Sequence, residues 1–535
     1  MPGFKSVDPK QSFPALEERI LARWRETEVF ERSLTNRADA EVWSFFEGPP
    51  TANGRPGSHH VLSRVFKDVY PRYRTMCGYR VPRKAGWDCH GLPVELEVEK
   101  QLGISSKQEI EEFGIAEFNQ RCRESVFEYV EEWNRLTERI GFWLDLDDPY
   151  VTLEDDYIES VWWSLKRLFD EDRLYEGYKV VPYCPRDGTP LSSHEVAQGY
   201  KDVEDPSIYV RFPLLDEDAA LLVWTTTPWT LPGNVAVAVA PEVAYVRARV
   251  DGEVLILAEP LVEKVLGEGT EIVGERFPGS ELVGRTYRGP VFELADGGPT
   301  GLEGSAAFRV LPGDFVTTED GTGLVHIAPA FGEDDYAVAA ANGIFDPTRQ
   351  ETLYNPVRPD GHFDDRVEGF EGRFVKDPEV TRELIADLER RGLLFREQVY
   401  EHSYPHCWRC GTPLLYYATS SWYIGTSAVK DQLLANNETI GWHPEHVKHG
   451  RFGKWLENNI DWALSRDRYW GTPLPIWRCE DHECGELTAI GSVAELRERA
   501  TTEVPEGLDL HRPYIDEVAI ECGKCGGEMR RVLSV

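Results

Sequence analysis

The octapeptide Cys184-Pro-Arg-Asp-Gly-Thr-Pro-Leu191 returns as Cys407-Trp-Arg-Cys-Gly-Thr-Pro-Leu414. No other feature constrains the fold so strongly. Each copy reads as a knuckle-like turn, and two knuckles can complete one tetrahedral metal site. If they pair, residues 189–406 leave and return at a single place, which is how an inserted domain is wired. Cys184, Cys407 and Cys410 would supply three thiolates. Asp187, standing where the repeat predicts cysteine, would supply a carboxylate oxygen, which Zn2+ also accepts. Two metal-free turns are the alternative. Further along, Cys479-x4-Cys484 and Cys522-x2-Cys525 form a second set in a zinc-ribbon pattern, with His482 as a substitute ligand by position. Four thiolates leave no open coordination position, so the role expected there is structural.

A chain of 535 residues predicts roughly three or four domains of ~150 residues each. Its hydrophobic content of 41% and its 16 tryptophans allow sizeable cores. No apolar run reaches membrane-spanning length, and no signal-peptide core precedes the first helix pattern. A cytoplasmic protein without membrane contact is expected, and there close cysteine pairs are more often metal ligands than disulfides. The net charge of −35, from 58 basic and 93 acidic residues, argues against a broad nucleic-acid surface, since phosphate contacts need cations. The charge is spread out, in runs such as Glu154-Asp155-Asp156, as an acidic proteome would have it. A local basic groove for RNA stays compatible with it, but the sequence does not mark one.

The stretch Glu47-Gly-Pro-Pro-Thr-Ala-Asn-Gly-Arg-Pro-Gly-Ser-His-His60 lies between the apolar run Val42–Phe46 and a helical pattern carrying Val61, Val65 and Val69. That is strand, Gly/Pro-rich loop, helix. The loop brings backbone N–H groups and two imidazoles to a helix N-terminus, where an anion is favoured. It lacks the G-x-x-x-x-G-K-[ST] wording of a P-loop. A rigid turn with surface histidines is the bland alternative. Between Ser106 and Phe169 the periodicity predicts helices, opened by the capping box Ser106-Lys-Gln-Glu109. From about Tyr200 to Arg396 the texture predicts a β-rich, barrel-like domain. Ala220–Thr227, Val235–Val239, Tyr245–Val250 and Glu253–Leu257 are its strand candidates, Asp251-Gly252 a hairpin turn, and Asp296-Gly-Gly-Pro299 an interrupting loop.

The wording of several segments resembles class I aminoacyl-tRNA synthetases, isoleucyl branch. Pro49-Pro-Thr-Ala-Asn-Gly54 followed by Gly57-Ser-His-His60 is similar to the first signature, in a swapped form with Gly57 and His59 where the usual H-x-G-H order has His and Gly. Gly86-Trp-Asp-Cys-His-Gly-Leu-Pro-Val-Glu95 resembles a second segment, and Asp461–Gly471 the helix-and-turn that returns the chain to the active site. The resemblance implies an α/β fold. Residues 1–183 would form the first half of a Rossmann-like catalytic domain, 184–199 and 397–476 the two knuckles and return, 200–396 an inserted editing domain, and 477–535 a zinc ribbon. It further implies ATP as a substrate and Mg2+ as a cofactor, with Gly57, His59 and His60 as the catalytic residues on the ATP side. Isoleucine would be held by Pro49, Trp87 and Asp88, with Asp88 facing the α-ammonium, and isoleucine tRNA would be the partner.

Trp224–Asn234 and Gly321–Asp335 resemble the isoleucyl editing signatures. Valine lacks one methylene of isoleucine, which limits discrimination by binding, as the known behaviour of this very family illustrates. A second pocket would therefore hydrolyse valyl-tRNA. By resemblance, Thr225, Thr226 and Thr227 line that pocket and orient water, His326 excludes isoleucine, and Asp335 anchors the ammonium. The resemblance covers essentially the whole chain but about the first half of such an enzyme. It implies that the lysine loop of the second ATP signature and the anticodon-binding domain lie on continuing or separate polypeptide, and that the full enzyme is a monomer. A stand-alone editing hydrolase fits the missing loop but not Pro49–His60. A non-catalytic zinc-ribbon RNA binder fits the cysteines but not Thr225–Asn234.

Overall fold

A computed structural model describes residues 9–45, 47–104, 106–290, 307–347, 349–481 and 483–535. Phe46, His482 and the Asp296–Pro299 loop lie outside the described residues. The chain divides into two compact units, Met1–Glu171 with Arg468–Val535, and Asp172–Asp467.

In the first unit, three extended segments lie parallel. Asp88 donates its N–H to the Pro50 carbonyl at 3.0 Å and Trp43 to that of Arg80 at 2.9 Å, and bridges join Val42 to Arg80 and Thr51 to Asp88. Lys84–Trp87 pairs in turn with Asp145–Val151. The Ser58–Met76 helix connects the first two segments, the crossover that parallel pairing demands. Within Ser106–Phe169 the helices are Lys107–Phe113, Ile115–Val126, Val130–Arg139 and Asp155 onward to Asp170. The capping box forms, with Glu109 N–H on Ser106 Oγ at 3.3 Å and Ser106 N–H on Glu109 Oε2 at 3.0 Å. The all-helical expectation fails at Asp145–Val151, which is a strand. Its Asp-rich, Pro-containing sequence has neither period, and its state is set by its partner Lys84–Trp87.

The Ser58–Met76 helix is inverted relative to an ordinary surface helix. Leu62, Val65, Phe66, Val69, Tyr70, Tyr73 and Met76 are between 47% and 82% exposed, whereas Arg64, Pro71 and Thr75 are buried. The chain re-enters this unit through Arg468, whose guanidinium meets Glu95 and Glu99, the latter at 2.5 Å. Tyr469 N–H also donates to Glu95 Oε1 at 3.1 Å. A buried cation is tolerable only when paired this fully. Asp461–Gly471 is not the helix-and-turn expected. It holds the short strand Trp462–Ala463 and irregular backbone. The unit ends in a four-stranded antiparallel sheet ordered Leu487–Ala489, Ile476–Cys479, Glu528–Arg531, Ile520–Glu521.

In the second unit the repeat is structural as well as textual. Gly188 and Gly411 both have positive φ, 63° and 77°, and both donate to the carbonyl four residues back, Cys184 at 2.8 Å and Cys407 at 2.9 Å. Leu191 and Leu414 likewise bond to Pro182 and Pro405. Beyond the knuckles, Tyr200–Pro213 departs alongside the returning Leu394–Pro405, Tyr200 opposite Pro405. Between them lies an open six-stranded sheet, ordered Glu271–Pro278, Ala244–Val250, Glu253–Ala258, Ala220–Thr225, Tyr200–Pro213, Leu394–Pro405. A three-stranded sheet of Arg309–Pro312, Ala236–Val239 and Leu324–Ile327 shares its core. The β texture read from the sequence is present, but as two sheets and not one barrel. Asp251 and Gly252 both take positive φ, as a tight hairpin turn requires. Among the described residues no helix is long and apolar enough to cross a membrane.

Candidate functional site

A cleft of about 380 Å³ opens at the C-terminal ends of the parallel segments in the first unit, the end where open α/β sheets bind ligands. Pro49 and Asp88, from adjacent strand ends, and His60, from the first turn of the following helix, all line it. Two distant segments of the sequence thus meet at one site. His60 Nδ1 accepts the Gly57 N–H at 2.9 Å, so the imidazole caps its own helix. Burial, with His59 and Arg64 nearby, lowers the His60 pKa. The ring is therefore neutral near pH 7, and with Nδ1 accepting, the proton sits on Nε2. That leaves a donor for an anion at the helix N-terminus.

Gly57 shows how the swapped wording packs. A Cβ there would stand 2.9 Å from His59 Cε1, so the glycine makes room for the displaced imidazole. His59 is exposed, with its ring 3.8 Å from that of His60. Trp87 is buried in the core with Val94, Trp133 and Trp470; it packs under the cleft and is not part of its lining.

In the second unit the threonines and His326 form one network. Thr225 Oγ1 accepts the Thr227 N–H at 3.1 Å, and the Thr227 and Thr230 hydroxyls are 3.2 Å apart. Thr230 donates to the Thr227 carbonyl at 2.8 Å and lies 2.8 Å from His326 Nε2. Tyr287 donates to Asn234 Oδ1 at 2.7 Å, and the Asn234 amide faces His326 Nδ1 at 3.4 Å. These directions place the His326 proton on Nε2. Burial pushes the His326 pKa down to about 4, so the ring stays neutral. Thr226 is half-buried beside this chain of hydroxyls. Just after the His326 strand, Ala328 N–H donates to Asp335 Oδ2 at 2.8 Å. Burial raises Asp335 to about 7, against the lowering effect of that bond. A carboxylate so placed gains from a cationic partner.

Both cysteine sets assemble. The ligand atoms of Cys184, Asp187, Cys407 and Cys410, and those of Cys479, Cys484, Cys522 and Cys525, lie within 4.8 Å of one another. Sulfur pairs stand 3.5 Å apart for Cys184–Cys410 and Cys479–Cys525, and 3.8 Å for Cys484–Cys522. Tetrahedral Zn–S bonds of ≈ 2.3 Å imply an edge of about 3.8 Å, so both donor sets fit zinc. Arg186 holds Asp187 Oδ1 at 2.7 Å, leaving Oδ2 facing Cys407 Sγ at 3.3 Å.

The sequence model of the family tRNA synthetases class I (I, L, M and V) matches residues 19–534. The chain belongs to this family. Among curated relatives of this class I chain, isoleucine--tRNA ligase of Streptomyces coelicolor is 55% identical over 99% of this chain and 49% of its own length. That of Thermus thermophilus is 54% identical over 99% and 49%, and that of Dehalococcoides mccartyi 49% identical over 99% and 54%. The chain spans about half the length of the curated relatives it matches.

The class I cleft also contains residues that sequence reasoning passed over. Glu47, buried, pairs with Lys67 Nζ at 2.7 Å through one oxygen, and its other oxygen has no partner among the described residues. Arg64 bonds to Thr137 Oγ1 and lies 4.9 Å over the Trp133 ring. Arg64 and Lys67 follow His60 at helical spacing, a signal that was available. Glu47 opens the stretch that runs to His60, so its place was visible although its role was not, and Trp133 comes from a distant helix.

Proposed function

We propose that the chain is the N-terminal portion of an enzyme that attaches isoleucine to its tRNA through isoleucyl-adenylate. One observation carries the reading: Pro49, His60 and Asp88, taken from two signature-like segments, line a single cleft. Asp88 would hold the substrate ammonium, and Pro49 the amino-acid side of the pocket. His60 Nε2, Arg64 and the helix N-terminus would meet the phosphates of ATP, which arrives as its Mg2+ complex. No covalent intermediate is needed; the chemistry is positioning and stabilisation of charge. Further polypeptide would complete the site. The apolar face from Leu62 to Met76 supports this, because a row of exposed apolar side chains along one helix ordinarily marks an interface.

The excursion between the knuckles would hydrolyse valyl-tRNA. Asp335 would bind the ammonium, the Thr225–Thr227–Thr230 hydroxyls would orient water, and neutral His326 would wall off isoleucine. Zn2+ at the two cysteine sets would fix the knuckle turns and the terminal ribbon without entering the chemistry. A cytoplasmic location and a monomeric full-length enzyme accord with this reading.

Binding of sulfamoyl-adenosine analogues of isoleucine, leucine and valine to the chain, measured by calorimetry, tests the proposal. The isoleucyl compound should bind best, and Asp88→Asn should remove the preference. Equal binding of all three would contradict it. For the excursion, Asp335→Ala should abolish hydrolysis of valyl-tRNA; truncating one partner of a buried charge pair costs roughly 2–5 kcal/mol. Unchanged deacylation would refute the assignment.

A further inference from the structure

A relay centred on the buried His511 in the first unit belongs to neither the cleft lining nor the cysteine sets. Asp509 Oδ1 lies 2.6 Å from His511 Nδ1. His511 Nε2 lies 2.8 Å from His90 Nε2, and Thr472 Oγ1 is 3.4 Å from His90 Nδ1. A carboxylate only accepts, so the short contact puts the His511 proton on Nδ1. His511 Nε2 then accepts from His90 Nε2–H, and His90 Nδ1 accepts from Thr472. The relay runs in one direction from loop to ribbon. Trp470 stacks on His511 at 4.6 Å and 12° and stands edge-on to His90 at 5.3 Å. Arg123 binds Asp509 at 2.7 Å and lies 3.2 Å from His511 Nδ1.

The geometry points to His511 as a positioning residue for the amino-acid pocket. His90 is two residues from Asp88, in the turn between Lys84–Trp87 and the Leu92–Leu102 helix. The same turn is clamped on its other side, where Trp470 Nε1–H donates to the Cys89 carbonyl at 2.6 Å and Gly91 N–H to the Trp470 carbonyl at 3.0 Å. His511 supplies a side-chain hydrogen bond that ties this turn to the segment preceding the last two strands of the ribbon. It thereby sets the direction in which Asp88 presents its carboxylate. The inference rests on the proposed reading of Asp88 as the ammonium partner.

The N–H···N bond holds one proton between two rings. Asp509 and Arg123 face the pair directly, and Asp155 lies close enough to both Asp509 and His511 to act on them electrostatically. Burial, with His511 and Arg123 nearby, holds the His90 pKa well below its ordinary value, so His90 stays neutral near pH 7 and this arrangement holds there.

The test measures dissociation constants of L-isoleucine and of ATP for the chain by calorimetry. Relative to wild type, His511→Ala should weaken isoleucine by about tenfold or more, with ATP changed by less than about twofold. His511→Gln keeps an acceptor where Nε2 stood, so it should recover most of the loss. An unchanged isoleucine constant in His511→Ala, or isoleucine and ATP weakened together, would overturn the inference. If circular dichroism shows His511→Ala unfolded, His90→Ala gives the same comparison from the loop side, with the same two outcomes. Asp88→Asn separates the premises: if it leaves isoleucine affinity intact, the pocket reading itself fails.

Discussion

Asp335 concentrates the residue-scale argument, because its burial and its proposed task pull in opposite directions. Held at about 7 by burial, it binds its proton more tightly folded than unfolded. The fold therefore gains from Asp335 at low pH and loses that gain as pH rises from the unfolded value of ≈ 3.9 to about 7. Asp335→Asn keeps the acceptor for Ala328 N–H and removes the titration. At pH 8 the variant should be more stable than wild type, on the order of 2 kcal/mol, and at pH 4 the two should coincide. Thermal melts at both pH values check this; a variant less stable at pH 8 would contradict the cause assigned to the shift. Function should run the other way. Deacylation of valyl-tRNA by wild type should fall as pH drops below 7, as the carboxylate takes its proton. The residue was legible in the sequence through its segment, but its environment was not, since the carboxylate folds back on Ala328 and Gly332.

Two elements carry predictions of their own. The all-thiolate site at Cys479, Cys484, Cys522 and Cys525 should hold its metal more tightly than the site containing Asp187, whose carboxylate is shared with Arg186. After mild chelation one zinc per chain should survive, and Cys522→Ala should lose it. If Cys407→Ala loses the resistant metal and Cys522→Ala does not, the ranking is wrong. The Ser58–Met76 helix gives the second. Phe66 and Val69 are exposed, so Phe66→Asp and Val69→Asp should change the chain's own stability by no more than about 0.5 kcal/mol. The same changes should block association with a C-terminal half. A large loss of stability, measured by denaturant unfolding, would mean that the face is covered within the chain. Periodicity revealed this helix but not which side of it was wet. The knuckles were the most legible elements, because a repeat states its own pairing. The Asp145–Val151 strand was illegible, because a short parallel strand takes its state from a partner about sixty residues away.

At the scale of the whole molecule, the sequence carried local words well and distant meetings poorly. Pro49–His60 and Gly86–Glu95 could each be read alone, and so could the departure and return at the knuckles. The contacts of Arg468 with Glu95 and Glu99, and of His511 with His90, join residues hundreds of positions apart and have no sequence period. Division into two compact units follows from the same wiring, since residues 172–467 leave the first unit and come back to it. The central claim is that the first unit is one side of a composite isoleucine-activating site. Isoleucine-dependent ATP–pyrophosphate exchange measures it, with the chain alone and with a separately produced C-terminal half of a relative. Loss of one donor that stabilises developing charge costs roughly a hundredfold, and the opposite side of the site should supply several. The account predicts negligible exchange by the chain alone and exchange restored, for isoleucine over valine, when the second half is added. Robust exchange by the chain alone, or restored exchange that prefers another amino acid, would contradict it.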